Sequence, residues 1–106
     1  MSRTISTKEF KSILDNKNVT VIDVRRKDDY TADSNAIPGA NWFDPAQIDS
    51  WCATLPTDKE VVLYCVRGGS VSNSVVDALQ AKGLKARFIE GGIAAWKEAG
   101  GSVVQK

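Results

Sequence analysis

One stretch constrains the fold of this chain more than any other: Val61-Val62-Leu63-Tyr64-Cys65-Val66-Arg67-Gly68-Gly69-Ser70-Val71-Ser72. Its opening residues are β-branched, aliphatic and aromatic, the composition of a buried strand. The run stops at a cysteine, passes two glycines and two serines, and enters an amphipathic segment expected to be helical from Asn73 to Lys82. The first amide N–H groups of such a helix lack internal partners and carry the positive end of its dipole. A sulfur anion at Cys65 would be stabilised there. Gly68 and Gly69 can take positive φ and let backbone amides point inward at that anion, as a nest does. The same residues also fit a packed structural cysteine before an ordinary βα turn, because cysteine is among the residues most often buried.

The flanking sequence alternates strand and helix signals. Arg3-Thr4-Ile5 reads as a short edge strand, and Ser6 with Glu9 as a capping box ahead of Phe10, Ile13 and Leu14. Asn16-Lys17-Asn18 breaks that helix. Val19 to Val24 is a strand too uniformly apolar for a wet face, as in a parallel sheet covered on both sides. Asp23 and Arg25 fall at its C-terminal end, where an ion pair would brace the loops. Lys27 to Tyr30 suggests one helical turn, Ile37-Pro38-Gly39-Ala40 a tight turn, and Asn41-Trp42-Phe43 a short strand. Asp44-Pro45 starts a helix with Ile48, Trp51 and Cys52 on one face, which makes Cys52 a packing residue. After a loop from Leu55 to Lys59 come the central unit, Gly83 as its cap, and a last strand from Ala86 to Ile89. Glu90-Gly91-Gly92 turns into a helix carrying Ile93 and Trp96, Ala99-Gly100-Gly101 closes it, and Ser102 to Lys106 reads as a tail. The expected fold is an α/β three-layer sandwich with a mostly parallel sheet of about five strands. With 106 residues, one domain occupies the chain, 1–106.

Two absences narrow the chemistry. There is no histidine, so Ser-His-Asp and Cys-His pairs are excluded. Two cysteines cannot by themselves fill a tetrahedral metal shell, so no metal and no cofactor are expected. A cysteine nucleophile here must rely on the helix dipole, backbone amides and cationic side chains. Cys52 and Cys65 are not spaced as CxxC, which argues against a thioredoxin-like pair. The net charge of +1 offers no basic stripe, so neither nucleic acid nor a membrane surface is the expected partner. Met1-Ser2-Arg3-Thr4 leads into no apolar stretch, and the chain is expected to be cytoplasmic, where a Cys52–Cys65 disulfide is disfavoured.

Taken in order, Val21-Ile22-Asp23-Val24-Arg25, Ile37-Pro38-Gly39-Ala40, Val62-Leu63-Tyr64-Cys65 with Gly68, and Glu90-Gly91-Gly92 with Trp96 and Gly100 resemble a single-domain rhodanese. The resemblance runs from the first helix to the tail. Two positions depart from the family pattern: Asn35-Ala36 stands where a Gly-His is usual, and Ser70 where arginine or threonine is frequent. The resemblance implies a thiosulfate sulfurtransferase that carries sulfane sulfur as a persulfide on Cys65. Backbone amides of Val66, Arg67, Gly68, Gly69, Ser70 and Val71, with the Ser70 hydroxyl, would surround the persulfide anion as an oxyanion hole does. Arg67 would meet the sulfonate end of thiosulfate, and Asp23 and Arg25 would support the site. The implied partners are a small sulfur-containing anion and a thiol or cyanide acceptor, with a protein acceptor as the further case.

Two rivals are weighed against this. Cysteine-dependent phosphatases need an arginine after five intervening residues to clamp three oxygens, and Val71 stands there. A non-catalytic sulfur-relay module would use the same persulfide on Cys65 to supply a partner protein. Trp42 and Trp96 are read as core or rim packing, with a pocket wall as the alternative for Trp42.

Overall fold

The computed structural model describes residues 3–14, 19–55 and 57–105. Its centre is made by two apolar strands lying side by side. In chain order the elements are β1 (Thr4–Ile5), α1 (Thr7–Ile13), β2 (Val19–Asp23), α2 (Lys27–Ala32), β3 (Asn35–Ala36), β4 (Asn41–Trp42), α3 (Ile48–Trp51), β5 (Glu60–Tyr64), α4 (Ser70–Ala81), β6 (Ala86–Ile89), α5 (Gly92–Glu98) and β7 (Val104–Gln105). The main sheet has the order β1-β6-β5-β2-β4, and every neighbouring pair in it is parallel. This is the expected α/β sandwich, with a five-stranded sheet between helical layers.

Side chains alternate across β5 with period two. Val61, Leu63 and Cys65 pack with Trp51 and Cys52 of the α3 segment and with Val75, Val76 and Leu79 of α4. Val62 and Tyr64 join the opposite cluster, with Phe10 of α1 and Ile93 and Trp96 of α5. The four side chains from Val61 to Tyr64 are wholly buried, each worth roughly 1.5–3 kcal/mol against exposure for a full-sized apolar group. Cys52 is core, as expected, and both cysteines are free thiols. Ser6 caps α1 by accepting the Glu9 N–H at 3.1 Å. Trp96 is buried edge-on against Phe10.

Three expectations need correction, and others fall outside the description. Helix α4 begins at Ser70, three residues before Asn73, because the chain is already helical where it leaves Gly69. The supposed tail contains β7, which pairs antiparallel with β3, so Asn35 and Ala36 gain partners that no local pattern announces. The segment after Asp44-Pro45 is a 3-10 turn, the short α3 and a second 3-10 turn, broken where a continuous helix was expected. Asn16-Lys17-Asn18, Pro56 of the expected loop and Lys106 lie outside the described residues. Among the described residues no helix is long and apolar enough to cross a membrane.

Candidate functional site

Cys65 is the first residue beyond β5, and the parity of the strand turns it toward α4. Two hydrogen bonds fix its backbone from the far side: Ile93 N–H donates to the Cys65 carbonyl at 3.0 Å, and Ala94 N–H to the Val66 carbonyl at 3.0 Å. The first turn of α5 thus holds the start of the loop. Gly92 makes that approach feasible: its φ is +62°, and a Cβ there would lie 2.6 Å from the Val66 carbonyl carbon. Gly68, with φ +69°, packs the other way, and a Cβ on it would sit 3.0 Å from Gly91 N.

The loop amides are left open. Among the described residues, the N–H groups of Val66 to Ser72 donate to no internal acceptor, and the first bond of α4 is Asn73 N–H to Gly69 O at 3.2 Å. No side chain caps α4 and no acidic residue stands in its first turn. The positive end of a twelve-residue helix therefore meets the loop uncompensated. Although only 6% exposed, Cys65 lines a small cleft of about 190 Å³. Val66, Arg67, Gly69, Ser70 and Val71 line it with the cysteine, and so do Arg26 and Asp29. The arrangement suits a nucleophilic sulfur whose product anion is received by backbone dipoles, without an imidazole.

Two loop expectations change in detail. Gly69 does not take positive φ; its φ is −92°, and nothing lies within 4 Å of a Cβ placed there. Gly68 faces the α5 turn and does not line the cleft. Ser72, wholly buried in the first turn of α4, has a hydroxyl without a hydrogen-bond partner among the described residues.

Asp23 and Arg25 lie at the same end of the sheet but on its other face. Both are 1% exposed, with Arg25 Nη2 2.7 Å from Asp23 Oδ2. Arg25 Nη1 also reaches Asp33 Oδ2 at 3.0 Å, and Nη2 donates to Asn35 O. Tyr64 O–H donates to Asp23 Oδ2 and its oxygen accepts the Ile37 N–H, each at 3.2 Å. Burial opposes the charge on Arg25, yet the hydrogen bonds and charge of Asp23 outweigh it and hold the guanidinium above its ordinary value. Burial, followed by the Asp23 charge, pushes the Tyr64 phenol up. Asp33 is lowered to about 2; burial opposes this, but the Lys97 hydrogen bond and the Asn35 N–H prevail. Asp23 and Arg25 thus form a brace that does not line the cysteine cleft. Trp42 stacks on Tyr30 and donates to Arg25 O at 2.8 Å, so it joins the brace and does not line the cysteine cleft.

Sequence reasoning missed Arg26 and Asp29. A signal existed in the register. Asp23 pairs with Tyr64, so alternation carried past β2 assigns Arg26, and not Arg25, to the face of Cys65.

Comparison with known proteins agrees with this architecture. The chain matches the rhodanese-like domain family over residues 6–99. It is 39% identical over 77 residues to a tRNA sulfurtransferase of Desulfurococcus amylolyticus; the match takes in 73% of this chain and 14% of that protein. A rhodanese-related protein from Thermoplasma volcanium superposes with a TM-score of 0.85 at 27% identity, over 98% of this chain and 99% of that one. A thiosulfate sulfurtransferase from Pseudomonas aeruginosa gives 0.83 at 25% identity, over 99% of this chain and 20% of that one.

Proposed function

The chain belongs to the rhodanese-like domain family, and from that membership we propose that it is a thiosulfate sulfurtransferase with Cys65 as its nucleophile. One observation carries the reading: Cys65 lines a small cleft together with loop residues whose backbone N–H groups have no internal acceptor among the described residues. The Cys65 thiolate attacks the outer sulfur of thiosulfate; the new S–S bond forms as the old one breaks, and sulfite leaves with the electron pair. Cys65–S⁻ and S₂O₃²⁻ become Cys65–S–S⁻ and SO₃²⁻, with charge conserved. Amides of the loop and of the first turn of α4, with the Ser70 hydroxyl, stabilise the anionic terminal sulfur. Arg67 and Arg26 draw the dianion to the cleft. Cyanide then takes the outer sulfur as thiocyanate and returns the Cys65 thiolate, a ping-pong cycle.

A second reading is sulfur delivery to a partner protein in place of rapid turnover. It is favoured by the match to the larger tRNA sulfurtransferase, of whose length this chain spans 14%. Intact mass after thiosulfate treatment tests the chemistry: the protein gains one sulfur atom, cyanide removes it, and Cys65→Ala gains none. Thiocyanate release at steady state separates the two readings, since a relay loads fully yet turns over poorly. Sulfur retained by Cys65→Ala would remove the cysteine from the mechanism.

A further inference from the structure

The first turn of α4 buries the Ser72 hydroxyl completely, and among the described residues that hydroxyl has no hydrogen-bond partner. Leaving such a group unpaired costs stability, and native proteins carry few of them. Alanine would avoid the cost and suit a helix better, so the hydroxyl calls for a partner that exists in another state of the protein. Ser72 precedes Val75 and Val76 by three and four residues, on the face of α4 that packs with Cys65. It is the inward residue of α4 nearest the loop, as Cys65 is the inward residue just beyond β5. Ser72 does not line the cysteine cleft, so it belongs to the core side of the loop. What changes at this end of the fold is the charge on Cys65. A thiol sulfur is a weak acceptor; a thiolate is a strong one, and a hydrogen bond to an ion is about twice as strong as a neutral one.

We propose that Ser72 is a positioning residue whose hydroxyl turns to donate to Cys65 Sγ whenever that sulfur is a thiolate. The proposal rests on Cys65 being the nucleophile of the sulfur-transfer reading, and it divides the anions of that cycle between two sets of donors. Ser72 serves Sγ, which is charged before sulfur is loaded and again after it is removed. The loop amides and the Ser70 hydroxyl serve the outer sulfur, which carries the charge in between. When the thiol ionises, its proton leaves to solvent and the Ser72 O–H rotates about its own bonds to face Sγ, keeping its hydrogen. Only the S–H bond is broken, and no oxidant or reductant is required.

The test follows alkylation of Cys65 by iodoacetamide as a function of pH, read by mass at the peptide that carries Cys65. At about pH 7, Ser72→Ala should react about tenfold more slowly than wild type, and the two rates should meet near about pH 10, where the thiol is ionised with or without the hydroxyl. Ser72→Thr, which keeps the hydroxyl, should follow wild type. The urea midpoint of Ser72→Ala should equal or exceed that of wild type, because the variant loses an unpaired buried group. Four results overturn the assignment while leaving sulfur transfer intact: alkylation of Ser72→Ala at the wild-type rate, a deficit that persists at high pH, a lowered urea midpoint in Ser72→Ala, or a folded Ser72→Thr as slow as Ser72→Ala. Sulfur loading is measured separately, with thiosulfate and with inorganic polysulfide. Failure of the wild-type protein to gain sulfur from either donor overturns the sulfur-transfer reading, and the alkylation comparison, which needs only the thiolate, still decides the role of Ser72.

Discussion

At the scale of single residues, Tyr64 and Cys65 are neighbours in sequence with their side chains on opposite faces of the sheet. Replacing Tyr64 by phenylalanine strands the Ile37 N–H and removes one donor to Asp23. The expected cost is about 1–3 kcal/mol, read from the urea midpoint; a midpoint equal to wild type would show that the hydroxyl's bonds do not matter to folding. Arg25→Ala leaves Asp23 buried without its partner and should cost about 3–5 kcal/mol. Arg67→Ala, at an exposed side chain, should stay within about 0.5 kcal/mol of wild type. Thermal melts of that pair distinguish a brace from a cleft residue. Cys65 and the Asp23–Arg25 pair were legible in the sequence because an abrupt strand end and a buried opposite-charge pair are local signals. Arg26 was not, since it sits in the run Arg25-Arg26-Lys27-Asp28-Asp29, which reads as a solvated stretch.

At the scale of elements, the cysteine loop is positioned by what it docks against. Gly92→Ala would drive a methyl group into the backbone of Cys65 and Val66 at a positive φ. Displacing the reacting sulfur by a fraction of an ångström to an ångström is expected to cost about 10²-fold in sulfur transfer. Gly69→Ala meets open space at a negative φ and should leave the rate within a fewfold of wild type. Comparing initial rates of thiocyanate release in the two variants decides the matter, and equal losses would refute the docking account. The long elements were readable: β2 and β5 are mostly apolar, and Gly83, just past the end of α4, has φ +83°. The start of α4 was not. Ser70-Val71-Ser72 has weak helix propensity, and what permits a helix there is a row of amides left free for an anion, which is a property of the site. The pairing of β3 with β7 was also invisible, since two-residue strands carry no periodicity and their contact spans most of the chain.

At the scale of the whole molecule, Asp33 ties distant parts together: Arg25 after β2, the Asn35 N–H of β3, and Lys97 of α5 at 2.7 Å. Its carboxyl is lowered from 3.8 to about 2 in the folded chain. A depressed carboxyl contributes stability that is present above the unfolded value and lost as pH falls through the folded one. Acid titration of stability should therefore steepen between about pH 4 and pH 2, and Asp33→Asn should flatten that segment; a variant curve parallel to wild type would contradict the linkage. No histidine adds a charge change near neutrality. Residue separation across the sheet has one more outcome. The Asp23–Arg25–Asp33 ion pairs and the Tyr30–Trp42 stack occupy one side of the sheet while Cys65 faces the other, with a single layer of peptide between them. A designer, or natural drift, could rebuild the ion-paired side for heat or acid tolerance without retuning the sulfur chemistry on the other.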